Sequence, residues 1–203
     1  MTSYLSEPDP TEETRRLYDG DRERLGHVAN YTRLFALRPA VYAAWAELNG
    51  AIKRGMDPRR YELVTLAAAR QLGSSYCALA HGRVLRGLGL EDASLRELAS
   101  GALPEELDEV DRAVVAFATR ATRGAPSVTE EDIEALRRVG LDDGEILDVA
   151  LAVGARCFFS TVLDATGTRA DAELAAWFDP ETRAALTVGR RPATGEDGPT
   201  ASD

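Results

Sequence analysis

Between positions 61 and 81 the chain reads YELVTLAAARQLGSSYCALAH, and three residues in it have the types and spacing to do chemistry together: Glu62, Cys77 and His81. Gly73 breaks one helical pattern, and Ser74 is a good N-cap for the next. Cys77 then falls in the first turn of the second helix. The free amides and the helix dipole favour an anion there, and the thiolate is the nucleophilic form of cysteine. His81 lies one turn further on the same face, placed to carry protons to and from the sulfur. A tight turn at Gly73 folds Glu62 back towards this pair. A carboxylate, an imidazole and a thiol converging near a helix start suit redox or proton-transfer work. Each residue alone has a plainer reading. A lone cysteine in an Ala/Leu-rich helix is usually inert core, a lone histidine a satisfied structural group, and a glutamate soon after Pro58 a match to the dipole. Their joint spacing is what favours the functional reading.

The elements that must position these residues are all helical. Pro39 opens a pattern running to about Lys53, with Val41, Tyr42, Trp45 and Leu48 as its expected buried face. Pro58 opens the next, ending at Gly73, and a third runs from near Ser74 to the Gly87-Leu88-Gly89 stretch. The Pro58–Leu72 and Ser74–Leu88 segments are predicted to form an antiparallel hairpin. Helices follow at Ala93–Ser100 and Asp108–Arg123. Another starts at Thr129, where Asp132 resembles a capping box. Asp142 or Asp143 caps a long apolar helix from Glu145 to about Thr166, and Ala172–Phe178 is a last short one. No segment alternates like a strand. Glu62 precedes Ser74 by twelve residues, as Glu145 precedes Cys157, a faint internal echo. Residues 1–20 read as a loose arm with a short helix around Glu12–Tyr18, 21–187 as one domain, and 188–203 as a disordered tail.

Composition narrows the function classes. Of 203 residues, 34 are acidic and 24 basic, a net charge of -10, which argues against nucleic acid and anionic membrane surfaces. Lys53 is the sole lysine in an arginine-rich set. No apolar run is read as long enough to span a membrane, and the polar start resembles no targeting peptide, so a cytoplasmic location is expected. The two cysteines, Cys77 and Cys157, are too few for a disulfide framework, and with two histidines they form no zinc-like cluster, so no metal or other cofactor is expected.

The register resembles a known family. AhpD-like alkylhydroperoxidases, of the carboxymuconolactone decarboxylase family, carry Glu, eleven residues, Cys-x-x-Cys, three residues, His. Here Glu62 is followed by eleven residues, Ser74-x-x-Cys77, three residues and His81. The segment LAAARQLGSSYCALAHGRVLRGLG is similar to the family's helix-turn-helix, including Tyr76 before the second cysteine position. The stretch from LDEVDRAVV to LDATG is similar to the second half of peroxidase-related members, so the likeness covers about residues 30–178. It implies an all-α, AhpD-like helical bundle. It also implies an oxidoreductase that reduces organic hydroperoxides through Cys77, with His81 and Glu62 as the proton-transfer pair.

Two departures stand out. Ser74 replaces the resolving cysteine and cannot form a disulfide. Cys157-Phe158-Phe159-Ser160 stands where relatives often have Asn-Phe-x-Asn. An oxidised Cys77 would therefore be reset by an external thiol or thiol-protein reductant, ahead of Cys157 as an internal resolver. The resemblance further implies a small-molecule substrate and a homo-oligomer, for which Tyr42, Trp45, Phe158 and Trp177 are candidate uncovered groups. Two alternatives remain. One is a cofactor-free decarboxylase or isomerase using Glu62 and His81, as in carboxymuconolactone decarboxylases. The other is a non-catalytic oligomeric binding protein.

Overall fold

Short polar residues and prolines set where the helices begin. Asp57, just before Pro58, accepts the Arg60 amide at 3.0 Å. Asp108 accepts the Asp111 amide at 2.7 Å. Asp142 and Glu145 bond each other's amides, both at 2.9 Å. Asp132 accepts from the amide and the hydroxyl of Thr129. Each contact satisfies a donor that a helix start leaves unpaired.

The computed structural model describes residues 2–195. Its helices are α1 (Glu12–Leu25), α2 (Asn30–Phe35), α3 (Pro39–Gly55), α4 (Pro58–Leu72), α5 (Ser75–Gly87), α6 (Asp92–Ser100), α7 (Glu109–Gly124), α8 (Glu130–Arg138), α9 (Asp143–Ala165), α10 (Ala172–Ala175) and α11 (Pro180–Leu186), with a 3-10 turn at Ala125–Ser127. Among the described residues there is no strand, so the all-α reading holds.

The helix α4 is central. It packs against α5, α7 and α9, and every residue from Tyr61 to Ala69 is buried. A helix covered on all sides needs apolar or small residues all round, which Leu63, Val64, Leu66 and the Ala67-Ala68-Ala69 run supply. Gly73, at φ +69°, stops α4 in the left-handed conformation, and the chain turns at once into α5. The hairpin expected from sequence is formed; α9 packs mainly on α4, and α3 packs on α9.

Four features differ from the sequence expectations. Along α3, Tyr42 and Trp45 are half-buried against Phe35 and Phe159, but Val41 and Leu48 are exposed; only Ile52 of this helix is fully covered. Helices α2 and α11 were not anticipated, and α1 continues to Leu25, past the expected boundary at residue 20.

The third difference is the start of the expected tail. The Gly189 amide donates to Ser75 Oγ at 2.8 Å, and the Ala193 amide to the Ala170 carbonyl at 2.8 Å. Gly189 crosses the Gly73 carbonyl so closely that a Cβ on it would collide. Tertiary bonds thus offset the ordering entropy of residues 188–195, which composition alone cannot foresee. The rest of the expected tail, 196–203, lies outside the described residues.

The fourth is α9, which by length and composition is apolar enough to cross a membrane. Half of that stretch is buried against other helices, and its buried face carries Arg156. These are the marks of a core helix.

Candidate functional site

Four helices bring one polar cluster into the core: α4 supplies Tyr61 and Glu62, α5 supplies Cys77 and His81, α3 supplies Asn49 and Lys53, and α9 supplies Arg156. Glu62 is 2% exposed. One of its oxygens, Oε2, lies 2.5 Å from His81 Nδ1, and the other accepts from Lys53 Nζ at 2.9 Å. The hairpin register makes the first contact, because Glu62 and His81 lie at comparable distances on either side of the Gly73 turn. Burial opposes the Glu62 charge, but the hydrogen bonds and charges of His81 and Lys53 outweigh it and hold the carboxyl below its usual range.

For His81 the balance runs the other way. Burial, reinforced by the Arg156 charge, pushes the imidazole down to about 4 despite the carboxylate beside it. At neutral pH the ring is uncharged. With Nδ1–H directed at Glu62, the lone pair sits on Nε2, which can accept a proton.

Cys77 is 1% exposed, in the first turn of α5 as expected. Its sulfur accepts a hydrogen bond from Arg156 Nη1 at 3.3 Å. Arg156 is 3% exposed, and its Nε has no partner. Burial disfavours this charge, yet Cys77 and Tyr61 more than compensate, so the guanidinium stays protonated. It also lies 5.5 Å from the centre of the Phe159 ring, which stacks on Trp45. Tyr61 completes the wall: its hydroxyl donates to Asn49 Oδ1 at 2.6 Å, and its ring lies under the Lys53 ammonium at 4.7 Å.

Ser74, Tyr76 and Cys157 are less central. Ser74 is the N-cap residue of α5 but makes no capping bond with its side chain; its hydroxyl is buried close to Asp164. Tyr76 donates its hydroxyl to Asp171, which also accepts the Asn30 amide at 2.7 Å, so it ties α5 to α2 and to the segment before α10. Cys157 is half-buried beside Thr122 of α7, and burial raises its thiol above the usual range. Adjacent helix positions point about 100° apart, so Cys157 turns to α7 while Arg156 turns to Cys77. The echo between Glu62 and Glu145 has no structural counterpart, since Glu145 is an exposed capping residue.

Sequence reasoning missed Arg156, Lys53, Asn49 and the role of Tyr61. Two signals were available: Arg156 is the only cation in the 23 residues of α9, and Lys53 is the only lysine in the chain.

Residues 39–104, from the start of α3 to just past α6, match the carboxymuconolactone decarboxylase family. No curated protein matches this chain in sequence. Among solved structures, it resembles an uncharacterised peroxidase-related protein with an alkylhydroperoxidase AhpD core from Ralstonia eutropha JMP134. The identity is 23%, coverage is 86% of this chain and 95% of that one, and the TM-score is 0.77. It also resembles a peroxidase-related protein from Silicibacter sp. TM1040, at 25% identity, 85% and 94% coverage and a TM-score of 0.75. The debrominase Bmp8, solved in complex with 2,3,4-tribromopyrrole, is similar at 15% identity, 85% and 94% coverage and a TM-score of 0.69. The chain thus has the AhpD-like fold, a fold that also carries a debrominase.

Proposed function

We propose that this protein is a thiol-dependent, alkylhydroperoxidase-like oxidoreductase of the carboxymuconolactone decarboxylase family, in which Cys77 reduces organic hydroperoxides. The observation that carries the reading is the Arg156 hydrogen bond to the Cys77 sulfur at the start of α5. A buried guanidinium needs a counter-charge. Glu62 already serves His81 and Lys53, which leaves the Cys77 sulfur and Tyr61 as the groups that face Arg156. In the proposed step the thiolate attacks the outer peroxide oxygen. The O–O bond breaks, Cys77 becomes a sulfenic acid, and the alkoxide leaves as an alcohol after taking a proton. The proton comes from the Cys77 thiol: His81 Nε2 takes it as the sulfur attacks and returns it to the alkoxide, with Glu62 fixing the ring.

Reset then needs two thiol equivalents. The first displaces water to form a mixed disulfide on Cys77, and the second releases the thiol as an external disulfide. Ser74 cannot take part, and Cys157 faces α7, so an external thiol or thiol-protein is the proposed reductant, with the cytoplasm as the setting. Peptide mapping without reductant, after one equivalent of cumene hydroperoxide and added thiol, tests this. A mixed disulfide on Cys77 that survives Cys157→Ser is expected; a Cys77–Cys157 cross-link would overturn the external route.

A second reading is favoured by one observation: the Glu62–His81–Lys53 chain is complete without the thiol. If peroxide modifies neither cysteine faster in folded than in denatured protein, acid–base chemistry by Glu62 and His81 on a small carbonyl substrate takes precedence. The catalytic unit is further proposed to be a homo-oligomer. Val41, Leu48, Leu151 and Phe158 form an exposed apolar face on α3 and α9 that a second copy would cover. A monomer mass by light scattering at micromolar concentration would exclude it.

A further inference from the structure

On the side of α4 away from Glu62, a cavity of about 540 Å³ opens between α4, α6, α7 and α8. Its lining shares no residue with the Cys77 cluster. Much of the wall is apolar, with Ala67, Leu98, Leu103, Ala113, Val115 and Phe117. Three arginines, Arg70, Arg120 and Arg123, also line it. Arg120 is accounted for: its guanidinium is 3.0 Å from Asp132, the one acid in the lining, and donates to the Ser127 carbonyl. Arg70 and Arg123 are different. Among the described residues neither has a carboxylate at ion-pair distance, in a chain with 34 acidic residues.

The two unpaired cations also face each other. Arg70 is partly buried, and after burial itself the charge of Arg123 is what lowers its pKa. Gly101, at φ +94°, gives the Arg70 side chain its place, since a Cβ there would lie 2.8 Å from Arg70 Nη1. Two like charges near each other, Arg70 partly buried and Arg123 exposed at the mouth of the cavity, raise the energy of the empty state. An anion between them removes that cost and gains charge-assisted hydrogen bonds. A volume of this size, with apolar walls and few polar groups, is usual for a small-molecule site.

We propose that this cavity is a binding site for a small amphipathic carboxylate, its anionic head on Arg70 and Arg123 and its apolar body against Leu98, Leu103, Val115 and Phe117. The site is separate from the thiol cluster, and its occupancy does not depend on what Cys77 does.

The test uses octanoate as probe on the full-length protein, with octanamide as its neutral counterpart and acetate as head group alone, at constant ionic strength. Saturable binding of octanoate by calorimetry is expected, with a matching rise in melting temperature and no comparable effect from octanamide or acetate. Arg70→Met and Arg123→Met should each weaken octanoate by about tenfold, as expected for one charge-assisted contact. Comparable binding of octanamide would overturn the proposal, because the cavity would then be only apolar. So would wild-type affinity in the double variant. A change in sedimentation mass on replacing the arginines would also overturn it, because their counter-charge would then come from a second copy of the chain. The three-probe comparison on the unaltered protein decides the matter even if a variant folds poorly.

Discussion

Cys77 and Cys157 lie on packed helices around the same residue, yet their settings are opposite. Cys77 occupies a first helical turn and accepts a hydrogen bond from a buried guanidinium. Cys157 is well inside α9, next to that same arginine in sequence, and lies against the neutral Thr122; burial makes its thiolate harder to form. One arginine therefore serves one sulfur far more than the other. Being adjacent along a helix counts for less than the side of the helix a group leaves from, because a step of one residue swings a side chain by about 100°.

The sharpest break in this comparison is to remove each sulfur in turn. Cys77→Ser should lower thiol-dependent hydroperoxide consumption by on the order of 10²-fold or more, since a serine hydroxyl is not a usable nucleophile without strong activation. Cys157→Ser should leave the rate within about twofold, as it removes no group from the reacting centre. Stopped-flow assays of both variants measure the contrast. Equal losses would mean that the two thiols act together.

Arg156→Met tests the cause of the contrast. Alkylation of Cys77 at neutral pH should slow by about ten- to a hundredfold, the worth of one hydrogen bond to a charged group. Cys157 should change far less. Stability should fall, because the change removes one partner of a buried charged contact and leaves the Cys77 sulfur without its donor. Denaturant midpoints alongside iodoacetamide kinetics read both effects. A collapse of the fold would assign Arg156 a structural role.

A smaller effect follows from His81. Its folded value of about 4 lies below the ordinary histidine value of 6.5, so the unfolded chain binds the proton more readily. The stability contribution is present above about 6.5 and is lost as pH falls towards 4. Glu62, whose carboxyl is held below its usual range, adds a loss of the same sign at still lower pH. Chemical denaturation at pH 7 and pH 5 should show wild type losing stability and His81→Gln losing less. An unchanged difference would mean that another group controls this window.

The smallest effect expected is at the other sulfur. The Thr122 hydroxyl partly offsets the burial cost at Cys157. Thr122→Val should slow Cys157 alkylation at most a few-fold, because the buried Thr122 hydroxyl lies near the sulfur without a hydrogen bond to it, and should leave Cys77 alone. A parallel drop at Cys77 would show that the two environments are coupled through α9.

What the sequence determined by itself was whatever is encoded over one or two helical turns. Pro58 and Asp57 begin α4, Gly73 ends it, and the spacing of Glu62, Cys77 and His81 puts the carboxylate against the imidazole once the turn is made. The caps at Thr129 and Asp142 were legible for the same reason: a capping residue and its amide lie within three positions of each other. Only the tertiary structure decided what joins the cluster from afar. Arg156 is 79 residues from Cys77, and its direction depends on the rotation of α9 about its own axis as it packs on the hairpin. Lys53 reaches Glu62 because α3 crosses the start of α4. Val41 and Leu48 are exposed because α3 has a neighbour on one side only, although their apolar pattern suits a covered face. Residues 188–195 are ordered by bonds to Ser75 and Ala170, and the unpaired state of Arg70 and Arg123 depends on which acids the fold leaves out of reach. Local patterns set where helices start, stop and turn. They do not set the angle and roll at which distant helices meet, and the packing of whole helix faces selects those.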